Sequence, residues 1–243
     1  MDKVAFLVLS YDSFTKSREW QVFFQSLRAD QYNLYIHSKN KTKSSFRKYY
    51  IKDTVPTAWG YFSLVEATIQ LMKESLSDKN NEYFILISDS HFPLLDGNTT
   101  VESIKKKCRG LIFHGNDKIV KGKFLGVDNY NFVHKKVSQF FMCRREHVEK
   151  FVESFDYYSQ FFIKNRVTFA DEFYFCAIAN DLKMKYLTRQ HTCYIDWSDR
   201  KNPQGKLYRK PYAFSHLSKE QIDLLIQKDY LFVRKILPHT VLC

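Results

Sequence analysis

The sequence predicts an α/β fold in which helices flank a mostly parallel central sheet. Residues 4–10 form an almost continuous apolar run, which is typical of a strand buried on both faces. Residues 16–27 then carry apolar side chains at helical spacing, and residues 32–37 return to an extended pattern. A strand, a helix and a second strand in this order are how a parallel βαβ unit begins.

The remaining elements follow from the same two periodicities. Helical spacing predicts helices over residues 62–76, 101–107, 145–165, 168–180 and 218–227, the last of them with a capping box. Extended patterns predict strands over residues 83–87, 110–114, 138–143, 185–187 and 193–197. We expect a solvated loop or short helix over 38–52, a turn over 91–97 and a long functional loop over 116–136.

The composition indicates one globular domain. The 243 residues are 44% hydrophobic and 26% charged, which excludes a disordered chain, and neither a repeat nor a linker divides them. Lys and Arg number 38 against 26 Asp and Glu, and the resulting net charge of +12 favours an anionic partner. Nucleic acid, an anionic membrane face and a phosphorylated small molecule all fit this charge.

Cysteine usage and hydropathy predict a soluble, cytoplasmic protein. The five cysteines are scattered and form no CxxC pair, so we expect reduced thiols in a reducing compartment. No apolar run approaches the roughly 18 residues of a membrane span. The apolar run that begins at Val4 is also too short for a signal peptide. We therefore predict neither a signal peptide nor a membrane anchor in this chain.

Several common catalytic motifs are missing. The sequence has no GxxxxGK[ST] and no GxGxxG, which argues against a P-loop enzyme and a dinucleotide-binding Rossmann domain. It also lacks HExxH and GxSxG. Asp89-Ser90-His91 follows a predicted strand, but the second acid that a metal-dependent sugar-nucleotide enzyme usually carries there is missing. The sequence therefore predicts no metal site.

Several segments, taken in order, resemble the core-2/I-branching β-1,6-N-acetylglucosaminyltransferase family, which also contains the peptide O-xylosyltransferases. The segments are WGYFSLVEA at 59–67, YFILISDSHFPL at 83–94, SQFF at 138–141 with REHV at 145–148, ADEFYF at 170–175, YIDWS at 194–198 and LFVRK at 231–235. Each segment alone is a weak signal, but their order and spacing are specific. The resemblance extends from about residue 4 to residue 235.

This resemblance implies a single GT-A-type domain, with a nucleotide-binding half at about 1–115 and an acceptor and catalytic half at about 116–243. It also implies inverting transfer of a sugar, GlcNAc or xylose, from a UDP-sugar to a glycan hydroxyl. Members of the family work without a divalent metal, so we expect no cofactor beyond the donor substrate. His91 stands where relatives usually carry Asp, so we expect the acceptor side to differ.

The resemblance also assigns roles to individual residues. Glu172 matches the family's catalytic base, although an acid in a first helical turn also complements the helix dipole without any other role. Asp171 is expected to cap that helix. Lys235, together with Arg209 or Lys210, matches the cations that bind the donor diphosphate. Without the resemblance, these three residues would be read as ordinary surface cations.

The other candidates lie at strand ends or in aromatic segments. Nucleotide contacts are predicted where strands end in an α/β sheet, and at a Trp-Gly pair that could close over uracil: Ser10, Tyr11, Asp12, His37, Trp59 and Gly60. Asp12 could instead cap a loop, and the Trp-Gly pair could serve packing and a turn. Acceptor contacts are predicted for Asp89, Gln139 and Trp197. Trp197 could equally be a core residue or a sugar platform.

One alternative belongs to a different functional class. The net charge and Tyr-rich segments such as residues 48–50 would also suit a non-catalytic basic module that binds nucleic acid or an anionic glycan. Against it, Lys and Arg are spread along the chain, and no RNP, KH or helix-turn-helix pattern is present. We therefore expect no nucleic-acid partner.

Overall fold

The computed structural model of the protein describes residues 2–41, 44–114, 118–119, 135–188, 192–198 and 210–243. The strands are β1 Lys3–Ser10, β2 Tyr32–Ser38, β3 Asn81–Ser88, β4 Phe92–Pro93, β5 Leu111–Phe113, β6 Lys118–Ile119, β7 Lys135–Lys136, β8 Phe141–Arg144, β9 Tyr186–Leu187, β10 Cys193–Ile195, β11 Phe214–Leu217, β12 Phe232–Arg234 and β13 Ile236–Leu242. The helices are α1 Ser17–Gln25, α2 Ser63–Ser75, α3 Gly97–Lys107, α4 Arg145–Glu153, α5 Phe155–Lys164, α6 Tyr174–Asp181 and α7 Lys219–Gln227, with 3₁₀ turns at Arg47–Tyr49 and Ala170–Glu172.

A six-stranded central sheet organises the fold, with the strand order β2-β1-β3-β8-β5-β9. Five of these strands run in one direction and β8 runs antiparallel to its two neighbours, β3 and β5. The predicted α/β fold with a mostly parallel sheet is therefore confirmed. Leu9 is paired with both His37 and Ser88, so the carboxyl ends of β1, β2 and β3 lie together. We call this border of the sheet the strand-end edge.

β1 is apolar throughout because the two faces of the sheet are both covered. Ala5 and Leu7 belong to the core cluster on the side of α2, whereas Phe6 and Val8 belong to the cluster that includes Trp20 of α1. All four of these β1 side chains are fully buried. A strand with core on both faces has no position for a polar residue, which explains the continuous apolar run in the sequence.

A second, three-stranded sheet brings the C-terminal segment to the strand-end edge. β12 lies between β10 and β4 and pairs antiparallel with β4, where Phe232 is opposite Pro93. The chain leaves β12 towards the end of β3, because Ile236 donates its backbone N–H to the carbonyl of Ser90 at 2.9 Å. Residues 234 and 235 are thereby held next to the residues that follow β3.

Several predicted elements differ from the observed ones. The predicted helix over 145–165 is observed as two helices, α4 and α5, which are divided at Ser154, whose hydroxyl donates to the carbonyl of Lys150 at 2.6 Å. The predicted helix over 168–180 begins as a 3₁₀ turn and becomes α-helical only at Tyr174. The predicted turn over 91–97 contains β4, and the predicted loop over 116–136 contains the paired strands β6 and β7. The other residues of that loop, 116–117 and 120–134, lie outside the described part.

Two further expectations can be compared with the structure. All five cysteines are free thiols, four of them buried and Cys243 exposed, as the sequence analysis predicted. None of the helices in the described part of the chain has the length and apolar character that a membrane crossing requires.

Candidate active site

The loop after β1 supplies the first candidate residues at the strand-end edge. Tyr11 is 60% exposed, and the Lys39 ammonium lies 5.5 Å from the centroid of its ring. The carboxylate of Asp12 accepts a hydrogen bond from Asn40 at 2.8 Å. Ser10 is buried, and its hydroxyl has no hydrogen-bond partner among the described residues. Tyr11 therefore offers an exposed ring, while Asp12 ties the loop after β1 to the loop after β2.

Asp89 follows β3 at the same edge. Its Oδ2 accepts a hydrogen bond from the backbone N–H of Tyr11 at 2.8 Å. Burial raises the pKa of Asp89, while the Tyr11 N–H and the positive charges of Arg234 and Lys235 act in the opposite direction. The sequence analysis assigned Asp89 to the acceptor, but its hydrogen bond joins it to Tyr11, a nucleotide candidate, and the charges of Arg234 and Lys235 act on it.

Arg234 is a site residue that the sequence analysis missed. Its guanidinium is half-buried and lies over the ring of Phe140, with 4.8 Å from Cζ to the ring centroid. Burial lowers the pKa of Arg234, and Cys193, Asp89, Asp171 and Glu172 oppose that shift. No carboxylate in the described residues forms a direct ion pair with it. Its position directly before Lys235 was the one available signal in the sequence.

The three cations predicted to bind the diphosphate differ in where they lie. Lys235 is half-buried between β12 and β13, and its charge acts on Asp89. Lys210 is exposed. Arg209 lies outside the described residues. The described cations that face the strand-end carboxylate are therefore Arg234 and Lys235.

The acid pair, Asp171 and Glu172, lies in the 3₁₀ turn that precedes α6. Oε2 of Glu172 is 2.7 Å from Nζ of Lys136, and about a fifth of the Glu172 side chain is exposed, 21%. The backbone carbonyl of Glu172 accepts a hydrogen bond from the N–H of Val137 at 2.9 Å. The end of β7 thus holds Glu172 through both its backbone and its side chain.

Asp171 differs from its predicted role. It makes no capping hydrogen bond, and its Oδ1 is buried without a hydrogen-bond partner in the described part of the chain. Burial and the neighbouring charge of Glu172 raise the pKa of Asp171 to about 7, against the opposing effects of Lys136 and Arg234. The expected helix cap is therefore wrong, and Asp171 is instead a buried carboxyl group beside the candidate base.

Trp59 and Gly60 pack against the turn that carries the acid pair. Gly60 has a φ of +80°, and a Cβ there would lie 3.3 Å from the ring of Phe169. The carbonyl of Gly60 accepts a hydrogen bond from the N–H of Phe169 at 2.8 Å. The ring of Trp59, which is 74% exposed, meets Phe169 edge to face at 4.9 Å. These contacts join Trp59 and Gly60 to the segment of Glu172.

Two histidines lie beneath the surface of the site. His37 is buried, its Nε2 accepts the backbone N–H of Val55 at 3.0 Å, and burial lowers its pKa. His91 is fully buried, and its Nδ1 accepts the N–H of Ser88 at 2.9 Å. Burial, with the charges of Arg234 and His114, lowers the pKa of His91 well below its usual range. Both histidines are therefore buried, neutral side chains, one near the end of β2 and the other just after β3.

The two remaining acceptor candidates lie at the surface. Trp197 follows β10 and is 57% exposed, so the alternative of a core residue is wrong, while its role as a sugar platform stays a prediction. Gln139 is half-buried and directly precedes Phe140, the ring beneath Arg234. Within the described ranges, no three or more His, Cys, Asp or Glu side chains form a group that could hold a metal ion.

A comparison with protein families agrees with this arrangement. The model of the Core-2/I-branching enzyme family matches residues 4–225, which include the strand-end edge and the acid pair. The chain belongs to this family. The resemblance stated from the sequence is thereby confirmed, and the mixed α/β sheet is consistent with a GT-A-type fold. Arg234 and Lys235 lie just beyond the residues matched to the Core-2/I-branching enzyme model.

A curated plant protein is also similar to the chain. Glycosyltransferase BC10 from rice, Oryza sativa subsp. japonica, is 26% identical to it over 168 residues. The alignment covers 62% of this chain and 40% of the rice protein, so the chain corresponds to less than half the length of that relative.

Proposed function

We propose that this protein is an inverting, metal-independent glycosyltransferase that moves a sugar from a UDP-sugar to a glycan hydroxyl. GlcNAc and xylose are the donor sugars that the family resemblance favours. Membership of the Core-2/I-branching enzyme family and similarity to a rice glycosyltransferase support sugar transfer as the reaction class. The finer terms of the proposal rest on the charges around the candidate site.

The observation that carries the proposal is the position of Arg234, whose Nε lies 3.4 Å from Oγ of Ser88 at the end of β3 and whose guanidinium lies over the ring of Phe140. Its charge also acts on Asp89 at the strand-end edge and on Asp171 and Glu172 in the 3₁₀ turn. A guanidinium can bind phosphate oxygens through two parallel hydrogen bonds, and Arg234 has no direct ion pair with a described carboxylate. Arg234 and Lys235 are therefore the diphosphate ligands that we favour, with the donor sugar directed towards Glu172.

The reaction then needs three groups of this chain. Glu172 takes the proton of the acceptor hydroxyl while the hydroxyl oxygen forms a bond to C1 of the donor sugar. The bond between C1 and the phosphate oxygen breaks on the opposite face of the sugar, and UDP leaves with the bonding electrons. Arg234 and Lys235 stabilise the negative charge that develops on the phosphate.

Exposed aromatic rings support an acceptor site on the side of Glu172. Trp59 lies against Phe169, three residues before the candidate base, and most of its surface faces solvent. The apolar face of a pyranose can pack on such a ring. We therefore assign Trp59 to the acceptor and not to uracil, and Trp197 is a second candidate platform.

The test is a comparison of Glu172→Gln with the wild-type protein. UDP release from a panel of UDP-sugars is measured with and without glycan acceptors, and UDP binding is measured by calorimetry. The amide keeps the shape of the side chain but cannot accept the proton, so transfer should fall by about 10²-fold or more while UDP binding persists.

Glu153→Gln is the matched control, because Glu153 is an exposed acid on α4. It should transfer sugar at the wild-type rate. Wild-type-like turnover by Glu172→Gln would exclude Glu172 as the base. If the wild-type protein instead binds single-stranded oligonucleotides in a strongly salt-dependent way and releases no UDP, the basic binding module is the better description.

A further inference from the structure

Lys136 forms the one direct side-chain contact to the candidate base that the described residues record. Its Nζ lies 2.7 Å from Oε2 of Glu172, and 43% of its own side chain is exposed. The other carboxylate oxygen, Oε1, has no hydrogen-bond partner among the described side chains and backbone groups. One oxygen of the carboxylate is therefore held, and the other is left for an acceptor hydroxyl.

The position of Lys136 is itself well fixed. It is the last residue of β7, and the next residue, Val137, donates its N–H to the carbonyl of Glu172 at 2.9 Å. Nζ also lies 6.0 Å from the centroid of the Phe169 ring, which is the ring that Trp59 contacts. Lys136 thus joins the candidate base to the aromatic surface that we assign to the acceptor.

The charges around Glu172 make this contact significant. Among the described residues, three charged or titratable groups act on the acid pair: Lys136 from β7, Arg234 from β12, and the buried carboxyl group of Asp171 in the same turn. Arg234 also acts on Asp89, whereas Lys136 is the cation that lies within ion-pair distance of Glu172 in the described part of the chain.

We propose that Lys136 is a positioning residue that fixes Oε2 of Glu172 and so directs Oε1 at the acceptor hydroxyl. This inference rests on the proposed glycosyltransferase function. Lys136 itself touches neither the donor nor the reacting hydroxyl. It acts on the reaction only through Glu172, by holding the carboxylate in one orientation.

The experiment compares kcat, the KM for the acceptor and the affinity for UDP of Lys136→Met and Lys136→Arg with those of the wild-type protein. In Lys136→Met, kcat should fall about tenfold, because the carboxylate of Glu172 is no longer held in the orientation that directs Oε1 at the acceptor hydroxyl. The KM for the acceptor and the affinity for UDP should stay within about twofold of wild type. Lys136→Arg should restore most of the lost rate, because it restores the positive charge.

Lys150→Met is the matched control, since Lys150 is an exposed lysine on α4, and it should show the wild-type kcat. Thermal unfolding and UDP binding report whether each variant is folded, and Lys136→Gln replaces Lys136→Met if the latter is not. The inference is overturned if Lys136→Met has the wild-type kcat, or if Lys136→Arg rescues nothing. A wild-type protein that transfers no sugar overturns the proposed function, and with it this inference.

Discussion

At the scale of single residues, Asp171 combines burial with an incomplete set of hydrogen bonds. Its side chain is 8% exposed, Oδ1 has no described partner, and burial together with Glu172 raises the pKa of Asp171 to about 7. The carboxyl group of an unfolded chain has its ordinary pKa near 4. The folded protein therefore binds a proton at Asp171 over a pH range in which the unfolded chain does not.

This difference predicts how the stability of Asp171→Asn depends on pH. The wild-type free energy of unfolding should decrease as the pH rises from about 4 to about 7, because the folded state must ionise a buried group. The amide does not titrate. The free energy of unfolding of the variant, relative to that of wild type, should therefore increase by on the order of a few kcal/mol between about pH 5 and about pH 8. Chemical denaturation at these two pH values measures the difference.

Asp223→Asn is the control for this effect, because Asp223 is an exposed aspartate on α7. Its stability relative to wild type should be the same at both pH values. If Asp171→Asn behaves in the same way as Asp223→Asn, then Asp171 is ionised normally in the folded protein. The sequence predicted a helix cap, whose loss in Asp171→Asn would lower the free energy of unfolding by about 1 kcal/mol. A buried carboxyl group instead predicts that the variant becomes more stable relative to wild type as the pH rises.

At the scale of elements, the contact between the loop before α2 and the 3₁₀ turn holds the candidate base. Gly60 has a φ of +80°, and an added Cβ would approach the ring of Phe169 to 3.3 Å. Gly60→Ala should therefore cost about 1 kcal/mol of stability for the positive φ. It should also lower kcat, because a shifted Phe169 moves the turn that carries Glu172. Denaturation and UDP release measure the two effects.

Gly110→Ala is the matched glycine control. A Cβ at Gly110 would meet the carbonyl oxygen of Lys185 at 3.9 Å, which is an ordinary contact distance. We expect an effect on stability within about 0.5 kcal/mol and no change in kcat. Equal losses of activity in the two variants would show that the Gly60 contact does not position the base.

Elements that bury a continuous or periodic apolar surface could be predicted from the sequence. β1 and β3 follow this rule, and so does α7, where Ser218 and Gln221 form the predicted capping box. The division between α4 and α5 could not be predicted, because Ser154 is neither Gly nor Pro and apolar periodicity continues past it. β11 and β13 were also missed, since both contain runs of exposed residues and therefore lack a clear alternation of apolar and polar side chains.

The candidate site residues that directly follow a buried strand could be predicted from the sequence. The residues that tertiary contacts bring to the site could not. Tyr11 and Asp89 were identified because they follow buried strands. Arg234 and Lys136 were missed, because their proximity to the acid pair depends on how β12 and β7 pack. The assignments of Trp59 and Asp89 changed for the same reason, since periodicity does not report which loop a residue contacts.

At the scale of the whole molecule, the candidate site is assembled from segments far apart in the chain. The loops after β1 and β3, the 3₁₀ turn before α6 and the end of β12 each supply charged groups or a backbone donor. Arg234 is the residue on which the segments converge. The site therefore depends on the complete order of the central and C-terminal sheets, and a change in either sheet should affect donor binding.

This arrangement predicts donor binding that does not depend on a divalent metal. In the proposed reaction, negative charge develops on the departing UDP, and Arg234 and Lys235, whose charges act on Asp89 at the strand-end edge, would balance it. UDP should raise the thermal unfolding midpoint equally in excess EDTA and in Mn²⁺, and transfer should persist in EDTA. Lys235→Ala should weaken UDP binding by about tenfold, since it removes one charge-assisted contact. Lys228→Ala, an exposed lysine after α7, should not. Loss of activity in EDTA with recovery in Mn²⁺ would contradict this mechanism and make Asp89 the first candidate metal ligand.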